Sequence, residues 1–360
     1  MAGPFWLAVL EGRMPPPAWP AASLWHAHEM LLGFAGAAMA GFLVTRARPR
    51  QILLLAGFWL LARLAFWIPS AAAPLLLLPF PAMLAALVAP PFFRSSKKPA
   101  NSAFGIIPVA LFLLETLFVL AVLEAGPSLL RSTIWSLVHL VSALLTLMGG
   151  RLLRAATAGL VYRGGGRFTA GIDLPRETAT LVLFLVAILA TLLAIPTVAG
   201  LALLTAGLLT ALRLARWFVP VVRKVAEVRA LHLGYGWLAL GLLLLGLALA
   251  GAGFAAADVV HAVTIGGLGT LAFTVVARTT VQRAGLGFAA AAPVARWAPL
   301  LSLAAVARLA APLFPEAAPA ALRLSAILWS AAFLLLTAFL LAHRQPMLRA
   351  DRNRSPGRRS

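Results

Sequence analysis

Few side chains in this 360-residue chain could carry chemistry, and the histidines are the most informative of them. Cysteine is absent, which excludes thiolate nucleophiles, disulfides and cysteine-ligated metals. Any bound metal would therefore need His, Met, Tyr or carboxylate ligands. Two of the six histidines, His26 and His28, stand in the string WHAHEM at positions 25–30.

The spacing inside this string predicts where its side chains point. On a continuous helix His26 and His28 are about 200° apart, so they face two different sites unless the helix start is unwound. His26 and Met30 share one face because they are four residues apart. Imidazole and thioether groups suit haem iron or copper better than Mg²⁺ or Ca²⁺. The plainer interpretation is that these are half-exposed hydrogen-bonding histidines, with Glu29 either fixing a tautomer or simply an interfacial charge.

Three further histidines lie at the ends or in the outer halves of apolar runs. His261 is at the start of the ninth run, His139 is in the outer half of the fifth, and His232 begins the eighth at the opposite, inner side. Together with His26 and His28, the first two map to the outer half of the protein. Packing of the helices could therefore bring two or three of these four side chains together.

Charged residues inside apolar runs are the other candidates. Arg63, Glu115 and Arg308 fall within runs two, four and ten. An unpaired charge at membrane depth costs at least ~2.5–3.5 kcal/mol, so such residues are functional candidates. The two arginines either pair with Glu115 or with helix C-terminal carbonyls, or they act as counter-ions for an anionic ligand such as the propionates of haem.

The composition determines which elements must position these groups. Hydrophobic residues make up 62% of the chain and charged residues only 11%, with a mean hydropathy of +0.96. Soluble domains have roughly 45–50% apolar and about 25% charged residues. The sequence therefore predicts an all-α fold, a polytopic transmembrane helix bundle of about 11 spans in a lipid bilayer. The apolar runs are 26–45, 51–68, 73–93, 103–124, 132–150, 177–195, 197–217, 231–251, 258–277, 294–314 and 320–342.

The distribution of the +20 net charge predicts the orientation. Twenty-five of the 30 Lys and Arg residues lie in alternate connections or in the C-terminal tail, whereas Arg13, Arg131 and Arg323 lie on the other side. Positive segments stay in the cytoplasm, so we expect a multi-pass protein of the bacterial inner membrane with a cytoplasmic C-terminus. The charge indicates topology and not nucleic-acid binding. We expect one integral membrane domain over 1–360, with a basic cytoplasmic tail at 344–360.

Two stretches depart from this regular pattern. The third run contains Pro79, Pro81, Pro90 and Pro91, which favour a broken or re-entrant helix because interior prolines remove backbone hydrogen bonds. An odd number of spans with a cytoplasmic C-terminus would also place residue 1 outside the cell. Residues 1–10 lack the basic segment of a signal peptide. Either the N-terminus is translocated unaided or a preceding helix is missing from this version of the chain, and we favour the second alternative.

Several blocks resemble one known family. The string WHAHEMLLGF at 25–34, continuing to GFL at 41–43, resembles the opening signature of the NnrS family. MGGR at 148–151, LHLGY at 231–235 and HAVTIGGLG at 261–269 are similar to further blocks of that family. The resemblance extends from Trp25 to about Pro346 and covers essentially the whole chain.

NnrS proteins are haem- and copper-containing polytopic membrane proteins of bacterial nitric-oxide and nitrosative-stress responses. The resemblance implies twelve helices, the additional one lying before the signature. It also implies cofactor binding by the matching histidines His26, His28, His232 and His261. For a metal such as copper, Met30 joins His26, His28 and His261 as a candidate ligand.

The sequence therefore predicts a haem-binding and copper-binding membrane protein that acts in resistance or response to nitric oxide. No catalytic constellation is identifiable, and redox chemistry at a haem would need an electron donor that the residues do not reveal. The alternative is a secondary transporter of a small solute or metal complex, with Arg63, Glu115 and Arg308 along its path. A purely structural role in a membrane complex is the third hypothesis.

Overall fold

The computed structural model of the protein describes residues 2–45, 47–95, 99–124 and 126–353. The chain is 82% helical, and no strand occurs in these ranges. The predicted all-α polytopic bundle is therefore confirmed.

Fifteen α-helices are present in the described part of the chain. In chain order they are α1 (Ala2–Leu10), α2 (Ala22–His28), α3 (Gly36–Leu43), α4 (Pro49–Ala65), α5 (Pro79–Ser95), α6 (Pro99–Leu123), α7 (Pro127–Arg163), α8 (Leu174–Leu192), α9 (Pro196–Trp217), α10 (Ala226–Leu249), α11 (Ala256–His261), α12 (Thr270–Arg283), α13 (Ala292–Ala295), α14 (Pro299–Ala310) and α15 (Ala318–Asn353).

Nine helical segments in the described residues are long and apolar enough to cross a membrane, and they match the third to eleventh predicted spans. They are Ala73–Arg94, Ser102–Leu123, Pro127–Arg163, Leu174–Leu192, Pro196–Trp217, Ala226–Leu249, Ala256–Arg283, Phe288–Ala310 and Pro315–Arg344. The first two predicted spans are also helical, but α4 has only 17 residues and the helix that begins with α2 carries two histidines and Glu29. The chain is a multi-pass membrane protein.

Proline positions explain the irregular third span. It starts as a 3₁₀ helix, Ala73–Leu77, and α5 begins at Pro79, where a proline costs little because that N–H would be unpaired. Pro90 and Pro91 lie inside α5. Neither proline breaks α5, so the expected broken or re-entrant helix is not found in this described span, which only changes helix type at its start.

Two π-helical segments directly follow the short helices α2 and α11, each of which ends with a histidine. Glu29–Ala35 continues α2 into α3, and Ala262–Gly269 continues α11 into α12. Both are glycine-containing parts of the family-like blocks. Wide π turns are rare and occur frequently at functional sites, because they alter the direction of side chains within a helix.

The long helix α7 forms the centre of the bundle. In the most apolar stretch of α7, 78% of the residues are buried inside the bundle. In the span that contains α15 the corresponding share is 22%. It packs against α6, α8 and α10, and also against α2 and both π segments. The histidine-bearing ends of α2 and α11 therefore lie close to one central helix.

The structure covers only part of the predicted basic tail. α15 continues to Asn353, so the first residues of 344–360 extend the last helix. Residues 354–360 lie outside the described residues, as do the basic residues Arg46, Lys97 and Lys98.

Candidate functional site

A cavity of about 360 Å³ brings together residues from α2 and α11. His26 and Met30 line it from the first helix, and His261 lines it from α11. We call this space the histidine cavity. Its size falls within the range of roughly 300–1,000 Å³ typical of cofactor and small-molecule sites. The prediction that His26 and Met30 share a face is confirmed.

The two imidazoles in the histidine cavity have ring nitrogens without good hydrogen bonds. Nδ1 of His26 and Nδ1 of His261 are buried and have no hydrogen-bond partner. The backbone carbonyl of Ala257, one turn earlier, interacts with the ring of His261 without meeting the distance and angle criteria of a hydrogen bond. The ring of His26 is stacked on Trp6, with centroids 4.8 Å apart and planes at 19°. Buried polar atoms are normally paired, so these two imidazoles are unusual among the buried side chains. Because both residues line the cavity, they are candidates for metal ligation.

Helix α1 contributes Trp6 to the cavity wall and is held by an ion pair at its end. Glu11 Oε1 accepts a hydrogen bond from Nε of Arg323 at 2.7 Å, and Glu11 Oε2 lies 2.9 Å from Nε of Arg13. The hydrogen bond from Arg323 lowers the pKa of the Glu11 carboxyl, so the contact is charged at neutral pH. The indole that covers His26 is thereby fixed to α15.

Two arginines give the histidine cavity a positive charge. Arg131, at the start of α7, and Arg308, on α14, both line it, and its lining contains no carboxylate. Arg308 is close enough to His26 and His261 to act on both electrostatically. Asp258 acts on Arg308 from outside the lining. Sequence reasoning treated Arg131 only as a topology marker, although its position on the side poor in positive charge was a usable signal.

His28 points away from the histidine cavity, as expected for a continuous helix. Its Nε2–H donates to the carboxylate of Glu115, 2.9 Å from Oε1 and 3.1 Å from Oε2. Both side chains are buried, and the imidazole of His28 contacts the rings of Phe66 and Phe118. The intramembrane carboxylate predicted as a candidate is thus paired with the histidine predicted as a ligand.

A second ion pair adjoins His28. Nε of Arg63 lies 2.7 Å from Oε1 of Glu29, which is 3.8 Å from Nδ1 of His28. Gly33 allows the approach, because a Cβ there would lie 3.1 Å from Nη1 of Arg63. Its carbonyl accepts a hydrogen bond from Trp59 Nε1 at 2.9 Å. Of the two partners considered for Arg63, neither Glu115 nor a helix end is the closest; the partner is Glu29.

The remaining two candidate histidines are separate from the histidine cavity. His139 is buried on α7, with Nε2 3.2 Å from Oγ1 of Thr191. His232 donates from Nδ1 to the carbonyl of Val228 at 3.0 Å, and its Nε2 lies 3.5 Å from the carbonyl of Trp217. Neither lines the histidine cavity.

The structure also contains a buried network that sequence reasoning missed. The carboxylate of Glu177 accepts hydrogen bonds from Nε of Arg151 at 3.2 Å and from Nη2 at 2.9 Å, and Nη2 of Arg213 lies 3.5 Å away. Arg213 packs on the ring of Trp217. Both arginines had been assigned to a cytoplasmic connection, and no local pattern in the sequence reveals that they share one carboxylate.

The described side chains alone do not complete a metal site. Within the described ranges, no three His, Asp or Glu side chains are grouped so that they could bind a metal ion. The histidine cavity offers two imidazoles and one thioether, which fits a cofactor that brings most of its own metal ligands. Haem is such a cofactor, because the porphyrin supplies four nitrogens and the protein supplies only the axial ligands.

The fold and the cavity together define the class of this protein. It is a polytopic α-helical membrane protein with a histidine-lined, positively charged cavity inside the bundle. A family model described as "NnrS protein" matches residues 1–352. The chain belongs to the NnrS family, and this membership supports a membrane protein of the nitric-oxide response in general. No curated protein and no solved structure matches it.

Proposed function

We propose that this protein binds haem in the histidine cavity, where His26 and His261 would hold it, and acts in resistance or response to nitric oxide. The observation that carries the proposal is that His26 and His261, from two helices, line one cavity together with Met30. Family membership supports the same chemistry. Haem bound there would supply an iron that can bind nitric oxide and exchange electrons.

The residues of the histidine cavity would each have a defined task. His26 and His261 would hold the iron, and Trp6 would keep the His26 ring in its orientation by stacking on it. The apolar lining would exclude water from the metal. Met30 lies on the same face as His26, and a thioether beside imidazoles also suits copper, so we propose copper as the metal that these side chains would bind when haem is not there.

His28 and His232 were also predicted as ligands, but neither lines the histidine cavity. Nε2 of His28 is engaged by Glu115, and Nδ1 of His232 by a backbone carbonyl. A metal bound by His28 would have to displace the carboxylate or share it. We therefore assign the haem to His26 and His261 first, and keep His28 and His232 as ligands only if the spectra require them.

No described contact favours transport. Arg63 pairs with Glu29 and Glu115 pairs with His28, so the charges expected along a transport path are engaged with other side chains. Only Arg308 of the three intramembrane charges lines the histidine cavity. The cofactor-binding function is therefore our conclusion.

The ultraviolet–visible spectrum of the detergent-purified protein, oxidised and dithionite-reduced, tests the proposal together with the metal content from mass spectrometry. We expect a Soret band at about one haem per chain, lost or shifted in His26→Ala and His261→Ala. His139→Ala is the matched control, because this buried histidine bonds to Thr191 away from the cavity. A folded protein without haem or copper, grown with sufficient iron and copper, would refute the assignment.

A further inference from the structure

We propose that Arg131 and Arg308 recognise two carboxylates of the ligand in the histidine cavity, so that the site selects porphyrins with free propionate groups. This inference rests on the proposed function, because it takes a porphyrin as the occupant. Among the counter-ions expected for an anionic ligand, it adds Arg131, which the sequence did not indicate. It excludes Arg63, because the partner of that arginine is Glu29.

The first argument is charge balance. Arg63, Arg151 and Arg213, which also lie in the bundle, each have a carboxylate within 4.0 Å. Among the residues that the structure describes, neither Arg131 nor Arg308 has one. Arg308 is half-buried and Asp258 acts on it only from farther away, whereas Arg131 is exposed and reaches the cavity from its outer edge. Two positive charges in a mostly apolar cavity favour an anion there.

The second argument is that two arginine side chains reach the cavity and that they come from different helices. Arg131 comes from α7 and Arg308 from α14, so the two guanidiniums approach the cavity from different helices. Each guanidinium can bind one carboxylate through two parallel hydrogen bonds. A haem has two propionates on one edge of an apolar plane, which matches two arginines in a cavity whose other walls are mostly apolar.

The third argument is proximity to the proposed ligands. Arg308, His26 and His261 line the same cavity, so the positive charge and the two imidazoles belong to the same space. The competing explanation is that both arginines extend to the membrane interface and bind anionic lipid headgroups. The two explanations differ in whether the arginines distinguish one porphyrin from another.

The test compares porphyrins that differ only in their carboxylates. The cofactor-free, full-length protein in neutral detergent is titrated with iron protoporphyrin IX, metal-free protoporphyrin IX and the dimethyl ester of each. Binding is followed by the Soret band and by quenching of tryptophan fluorescence. The variants are Arg131→Gln and Arg308→Gln, with Arg296→Gln as the matched control because that arginine is exposed and does not line the cavity.

We expect each cavity variant to bind the diacids about tenfold more weakly, as loss of one charge-assisted contact implies, with unchanged affinity for the dimethyl esters. The Arg296→Gln protein should behave like the wild type. His26→Ala should alter the iron porphyrin spectrum but keep the preference for metal-free diacid over diester. Loss of that preference in the arginine variants alone would support this inference even if the histidine ligation failed.

An equal diacid-to-diester ratio in the wild type and both arginine variants would overturn the inference while leaving histidine ligation intact. A reduced affinity for phosphatidylglycerol vesicles in those variants, without any change for porphyrins, would assign the arginines to lipid instead. If neither iron nor metal-free porphyrin binds to the folded wild type, this inference and the proposed function both fail.

Discussion

At the scale of single residues, the alternation between His26 and His28 divides the WHAHEM string into two environments. His26 has a buried, unpartnered Nδ1 in a cavity, whereas His28 donates to a buried carboxylate only two residues later. The helix itself is the cause, because neighbours two positions apart point in nearly opposite directions. One short motif therefore supplies both a candidate ligand and a buried polar pair.

The pair between His28 and Glu115 predicts a large effect on stability. His28→Ala would leave the Glu115 carboxylate buried without its partner, and removal of one member of a buried ion pair costs about 3–5 kcal/mol. We expect the free energy of unfolding in detergent to fall by about that amount, with a matching fall in the thermal midpoint.

Two comparisons give that prediction its controls. Glu115→Gln keeps an acceptor for Nε2–H of His28, so we expect a smaller loss. His343→Ala removes a hydrogen bond to the carbonyl of Phe339 and a contact with its ring near the end of α15. We expect this change to cost about 1 kcal/mol. If His28→Ala proves no more destabilising than His343→Ala, the buried pair contributes little to stability.

At the scale of elements, the close contact between α9 and α10 depends on two glycines. A Cβ on Gly200 of α9 would lie 2.7 Å from the backbone nitrogen of Ala250 and from the carbonyl oxygen of Gly246. A Cβ on Gly246 of α10 would lie 2.6 Å from the backbone nitrogen of Leu204. Small residues permit such approach, and in lipid the packing that it allows replaces the hydrophobic force between helices.

Alanine at this crossing should therefore force α9 and α10 apart. We expect Gly200→Ala or Gly246→Ala to lower the free energy of unfolding by about 1–3 kcal/mol, as overpacking does elsewhere. Gly57→Ala on α4 is the matched control, because nothing lies within 4 Å of its Cβ position. There the better helix propensity of alanine should stabilise by about 0.5–1 kcal/mol. Equal effects at all three positions would contradict the close crossing.

At the scale of the whole molecule, the orientation is a prediction from charge. The positive-inside rule places the connection at 164–173 in the cytoplasm and the connection at 250–255 outside. Because the chain has no cysteine, a single introduced thiol reports its own side of the membrane without background.

Single-cysteine labelling in intact cells checks this orientation. We expect Ala252→Cys to react with an impermeant maleimide and Thr169→Cys to react only after the cells are permeabilised; both positions are exposed. The wild-type chain, without cysteine, is the control for unspecific labelling. The opposite pattern would invert the topology, and with it the side from which a ligand reaches the histidine cavity.

The sequence by itself determined the all-helical membrane fold, most of the spans and the family. Lipid permits few backbone solutions, so runs of apolar residues specify helices almost directly. It also determined that His26 and Met30 share a face, because helical periodicity is local.

Only the tertiary structure decided which distant residues meet. His261 and Arg308 face His26, Glu115 joins His28, and Glu177 joins two arginines, across sequence separations that no local pattern encodes. The short α4 and the π segments likewise depend on packing. The physical reason is that an apolar helix in lipid can pack with any of several faces toward the bundle and bury a similar area each time. Contacts between buried charges and between close backbones then select one arrangement.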